Sequence, residues 1–265
     1  MSSEKVIISH PYCKDCVGGV KYTGDPVGRT EIIADVPTYV SDPPSEAAVQ
    51  GPKKVIMFFS DAYGPYYINN QLLQDYFASR GFFVLGIDYF LGDPVHLHTE
   101  EGFDVQIWLD AKRKKSAEIT PKWIDAIYSR FGSAAEYFAL GYCYGGPFAL
   151  DLAGTDDILA AAFAHPGLMT EDQFKNIRKP LFMACAETDF TFTTEFRRRA
   201  EDILLEVKAQ YSMRLYSGVI HGFAVRGSLE KPDESWAKQD AARGIVEWFE
   251  RFSPNANTFF TSNDS

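Results

Sequence analysis

One stretch limits the folds open to this chain more than any other: Gly141-Tyr142-Cys143-Tyr144-Gly145-Gly146, between the apolar run Glu136 to Leu140 and the helix-like run Pro147 to Ala153. It reads as strand, tight turn and helix, with a thiol at the tip. A nucleophile must stand clear of the backbone. A sharp strand-to-helix turn achieves this by forcing its central residue into strained φ/ψ, while flanking glycines keep side-chain bulk away. A helix starting at the turn brings free N–H groups and a positive dipole end near the sulfur, which favours thiolate. The N–H of Tyr144 would then face a developing oxyanion. Taken alone, the pattern serves equally well as a buried cysteine beside a packing glycine.

The runs around it make the first reading the stronger one. Pro180 to Ala186 is apolar enough for a buried strand, with Glu187-Thr188-Asp189 at its carboxyl end. Tyr211 to Tyr216 reads as another strand, followed soon by His221-Gly222-Phe223. Upstream, Lys54 to Ser60 and Phe82 to Ile87 are buried strands ending at Asp61 and Asp88, with a helix at Asn69 to Arg80 between them. Strands alternating with helices in this way predict an α/β protein with a mostly parallel central sheet flanked by helices. Nucleophile, acid and histidine in that chain order, each beyond a strand's carboxyl end, is the order of α/β-hydrolases.

The glycine-flanked Cys143, together with Asp189 and His221-Gly222-Phe223-Ala224, resembles the dienelactone hydrolase family, and its fungal-type members most. The resemblance runs from the strand before Ser60 to the helix ending near Phe252. It implies an α/β-hydrolase fold and cofactor-free hydrolysis of a lactone or ester, with no metal. Cys143 would be nucleophile, His221 general base and acid, Asp189 the orienting carboxylate, and the N–H groups of Ala62 and Tyr144 the oxyanion hole. Asp61 stands where the family has an acid, commonly glutamate, that meets the resting thiol. Better-known members bind a substrate carboxylate through an arginine in the region 81–109, where this chain has none. Arg226 could supply such a charge instead, or be a surface arginine.

Composition fits one compact enzyme. At 265 residues, 46% hydrophobic and 15% aromatic, the chain has ample material for a core. With 26 basic against 36 acidic side chains the net charge is −10, which argues against nucleic-acid and anionic-membrane surfaces. There is no long apolar span, and Met1 to Cys16 has no longer apolar run than Val6-Ile7-Ile8. The expected location is therefore the cytoplasm, where the four cysteines stay reduced. Cys13-Lys-Asp-Cys16 lacks a second pair for zinc and a thioredoxin-like context, and reads as incidental.

Residues 1–252 read as a single α/β-hydrolase domain that begins with edge strands, such as Thr30 to Val36 and Thr38 to Val40; residues 253–265 read as a loose tail. The loop Asp88 to Glu101 is expected to wall the substrate pocket, and its His96 and His98 lack a helical frame for metal. Lys112 to Lys115 and Arg197 to Arg199 read as solvated faces. Trp123 and Ile127, four apart, share a packing face, and Trp236 to Phe252 is the closing helix. The expected partner is a small-molecule lactone or ester, with a homodimer left open. A thioester substrate, a secondary-metabolite lactone, or a ligand-binding role without turnover are the alternatives.

Overall fold

The computed structural model describes residues 19–44 and 51–254. Cys13, Cys16 and most of the expected tail lie outside the described residues. Eight strands form one sheet: β1 (Arg29–Ile33), β2 (Val36–Ser41), β3 (Lys54–Phe59), β4 (Phe82–Ile87), β5 (Glu136–Tyr142), β6 (Ala160–Ala164), β7 (Leu181–Thr188) and β8 (Tyr211–Ile220). Their spatial order is β1-β2-β4-β3-β5-β6-β7-β8. The six strands from β4 to β8 run parallel, and β1 and β2 form an antiparallel hairpin against β4.

Buried parallel strands must be apolar on both faces, and the side chains of β3 show why its sequence is a continuous apolar run. Val55, Met57 and Phe59 enter one core, while Ile56 and Phe58 enter the other. The first core is closed by α2 (Val105–Phe131), α3 (Gly146–Ala153), α4 (Glu171–Lys175) and α5 (Thr194–Glu206). The second is closed by α1 (Ile68–Ser79), the short α6 (Phe223–Arg226) and α7 (Pro232–Phe252). Trp123 and Ile127 do pack together in the first core, and the indole N–H of Trp123 donates to Thr38 Oγ1 at 2.8 Å.

Three local readings need correction. Arg197 is buried and Arg199 pairs with Glu171 at 2.8 Å, so that cluster is only in part a solvated face. Lys112, half-buried, bonds Asp93 at 2.7 Å and the carbonyl of Phe90 at 3.1 Å, which pins the 88–93 loop to α2. The last strand continues to Ile220 because Glu187 grips it, accepting from Ser217 Oγ at 3.0 Å and from the N–H of Gly218 at 2.8 Å.

An arm ahead of the sheet closes the fold. The N–H of Val20 donates to the carbonyl of Arg226 at 2.9 Å, and the Tyr22 hydroxyl bonds the carbonyl of Gly227. Buried Asn69 on α1 ties the two together: its amide donates to the carbonyls of Val20 (2.7 Å) and Val225 (3.0 Å) and accepts from the N–H of Tyr22 (2.8 Å).

Candidate active site

The order of strands reverses between β3 and β5, and in open parallel sheets the crevice beyond such a switch point is where ligands bind. Cys143 follows β5 and Ala62 follows β3, so the chain turns out of the sheet at both sides of this crevice. Cys143 has φ of 49°, the left-handed region that a non-glycine residue rarely occupies. A one-turn 3₁₀ segment, Cys143–Gly145, leads from it into α3. The two glycines of the pattern have separate reasons to be there. A side chain at Gly141 would collide with the carbonyl of Gly145, and one at Gly145 with the carbonyl of Phe59. The elbow can therefore fold down on β3 only without these side chains.

Three chain segments meet at the thiol. His221 Nε2 lies 3.1 Å from Cys143 Sγ, and its Nδ1 lies 3.0 and 3.1 Å from the two oxygens of Asp189. All three residues are buried. Asp189 Oδ1 also accepts from the N–H groups of Thr191 (2.9 Å) and Phe192 (3.0 Å) and from the Thr191 hydroxyl (2.7 Å). Burial alone would raise the Asp189 pKa, but the His221 charge and these donors outweigh it and hold the carboxyl down at about 2. Burial likewise opposes a proton on His221, yet Asp189 and then Cys143 raise its pKa to about 10. The arrangement favours an imidazolium beside an ionised carboxylate, and its line of contacts can move a proton between sulfur and Nε2.

Asp61 and Arg226, separated by most of the chain, form a buried ion pair. Arg226 is thus not a surface residue; its guanidinium also lies 4.6 Å from the ring centre of Tyr63. Asp61 Oδ1 accepts from Asn70 Nδ2 at 2.8 Å and from the N–H of Tyr63 at 3.1 Å. The 88–101 segment packs over the same edge. Tyr89 and Phe90 meet the Tyr144 ring at 5.1 and 4.9 Å between ring centres, and the N–H of Val95 donates to the carbonyl of Ala62 at 3.0 Å. His96 stacks on Tyr63 at 5.2 Å, while His98 sits between Asp93 and Glu100 at 2.8 and 2.9 Å. These two histidines have separate partners and do not converge. A cavity of about 160 Å³ borders the elbow, between Tyr144, Phe148, Arg113 and Leu168.

Two residues at the site were not singled out from the sequence. The Thr191 hydroxyl, whose one proton is given above to Asp189, also lies 2.8 Å from the carbonyl oxygen of Pro166 and 3.0 Å from His221 Nδ1. His165 follows β6 directly, is fully buried, and has φ of 34°. Its ring meets His221 edge to face at 5.0 Å, and neither of its nitrogens has a hydrogen-bond partner. Burial, reinforced by the His221 charge, pushes its pKa well below the usual range. A buried polar group left so costs about 1–3 kcal/mol. The signal for it was present: an apolar run, Ala160 to Ala164, that ends in a histidine as other runs end in Asp61, Asp189 and His221.

A mostly parallel sheet flanked by helices, with a sharp turn at Cys143 between a central strand and a helix, is the α/β-hydrolase fold. The match to a solved putative dienelactone hydrolase from Klebsiella pneumoniae supports that fold: TM-score 0.71 at 15% identity, covering 85% of this chain and 99% of the other. Within that class the chain belongs to the dienelactone hydrolase family, whose model matches residues 36–253. It is 32% identical to "Dienlactone hydrolase 1" of Gibberella moniliformis, over 92% of this chain and 95% of the relative. It is 33% identical to "Hydrolase tropI" of Talaromyces stipitatus, over 89% and 95%. Among the described residues no helix is long and apolar enough to cross a membrane.

Proposed function

We propose that this protein hydrolyses a lactone or ester through a thioester acyl-enzyme, and that residues 1–252 act as one catalytic unit. The observation that carries the reading is the continuous hydrogen-bonded line from Cys143 Sγ through His221 to Asp189. The thiolate of Cys143 adds to the carbonyl carbon, and the N–H groups of Ala62 and Tyr144 stabilise the oxyanion. As the tetrahedral intermediate collapses, His221 Nε2 gives its proton to the departing alkoxide. His221 then takes a proton from water, whose oxygen attacks the thioester, and the acid leaves as the thiol group is restored. Asp189 holds the imidazole in the tautomer that faces sulfur.

Asp61 and Arg226 bear on the substrate end of this reaction. With the guanidinium engaged by Asp61 and no arginine in 81–109, the reading favours substrates without a free carboxylate over carboxylated dienelactones. The test is hydrolysis of an activated aryl ester and a small dienelactone by wild type and Cys143→Ala, with and without a thiol-alkylating reagent. Activity should vanish with the thiol, and the uncharged ester should be the better substrate. Full activity in Cys143→Ala would refute the mechanism.

A further inference from the structure

The Cys143, His221 and Asp189 line leaves one buried imidazole at the site without a role. His165 Nδ1 and Nε2 have no hydrogen-bond partner, the backbone holding the ring is in the left-handed region, and the ring stands against His221. A strained backbone and an unpartnered polar ring in the interior are the marks of a group kept for a ligand. Among the described residues, one donor atom each from Cys143, His165 and His221 lies within 4.8 Å of the other two.

We propose that Cys143 Sγ, His221 Nε2 and a ring nitrogen of His165 form an inhibitory site for zinc, with water completing a four-coordinate shell. Zinc binds sulfur at about 2.3 Å and imidazole at about 2.0–2.1 Å, which puts tetrahedral donors roughly 3.5 Å apart. The Cys143 to His221 separation of 3.1 Å must open slightly and His165 must close in, movements on the scale of side-chain rotation. One thiolate and two imidazoles select zinc over magnesium or calcium, which prefer oxygen. His221 Nδ1 already rests on Asp189, the carboxylate–histidine arrangement that orients a metal-binding ring. Binding forms one Zn–S and two Zn–N bonds, and the one proton held between Cys143 Sγ and His221 Nε2 leaves to solvent with no change of oxidation state. Both the nucleophile and the base are then withdrawn, reversibly, from attack and from alkylation.

The site goes beyond the proposed hydrolysis, and its test does not depend on turnover. Cobalt(II) titrated into the full chain should give a thiolate-to-cobalt charge-transfer band and the intense visible bands of a four-coordinate ion. Zinc should displace it, and Cys143→Ser should lack the charge-transfer band. His165→Asn suits the left-handed backbone but is too short to ligate. It should weaken zinc binding, read by cobalt competition, by at least ~10-fold. Thermal unfolding without metal checks that the variant is folded, and His165→Gln replaces it otherwise. In the wild type, zinc should also protect Cys143 from iodoacetamide, with protection reversed by a chelator. No charge-transfer band in the wild type, or equal zinc affinity in a folded His165 variant, would overturn the proposal.

Discussion

Asp189→Asn tests the site through hydrogen-bond geometry alone, because the substitution keeps size and removes one acceptor. Oδ1 of Asp189 accepts from three donors: the Thr191 N–H, the Thr191 hydroxyl and the Phe192 N–H. In the variant those donors demand the amide oxygen in that place. The NH₂ group must then take the position of Oδ2, 3.1 Å from His221 Nδ1. There it donates, so the ring's own proton moves to Nε2 and faces Cys143 Sγ, where an acceptor is needed. An imidazole locked in the wrong tautomer loses on the order of 10³- to 10⁴-fold in kcat. The carboxyl sits near 2 in the folded protein against an ordinary value near 3.9, so its charge contributes about 2 kcal/mol of stability at neutral pH. The assay is kcat/KM on an activated ester, with urea unfolding alongside. A folded variant that keeps more than about a tenth of wild-type kcat/KM would refute the tautomer argument.

Two further predictions concern buried charge. Arg226→Met leaves Asp61 ionised in the interior with only Asn70 and the Tyr63 N–H; it should cost about 3–5 kcal/mol in urea unfolding, and adding Asp61→Asn should restore part of it. A loss under about 1 kcal/mol would mean that the pair carries little of the fold. Lys238, half-buried with its ammonium donating to the Val225 carbonyl, is lowered to about 7 by burial. The folded state then binds fewer protons than the unfolded chain between about pH 7 and about pH 10.4, so stability rises with pH across that window. Thermal unfolding of wild type and Lys238→Gln at about pH 6 and about pH 9 checks it: the wild type should gain on the variant at the higher pH, and an unchanged difference would contradict it.

The runs of β3 to β7 were legible because these strands are buried on both faces, and the residues beyond them were legible because chemistry collects where a parallel strand ends. That logic found Cys143, Asp189, His221 and Asp61 without any tertiary information. It passed over His165 although the same rule applied, since a histidine followed by Pro166 looks like an ordinary turn. Thr191 was illegible for another reason: its hydroxyl matters only once Asp189 and Pro166 are brought to either side of it. The Asp61–Arg226 pair joins residues on opposite halves of the sequence, and no local pattern marks either as buried. Helix α2 runs through Pro121, and the full extent of such a helix is set by packing against the sheet.

The arm at Val20 and Tyr22 carries a consequence for synthesis. Its partners, Arg226 and Gly227, emerge from the ribosome about 200 residues later. Until then the buried Asn69 lacks the Val225 carbonyl, and the turn after His221 does not yet exist. The closure of the arm over α1 therefore joins segments made far apart in time, and it waits for the turn after His221.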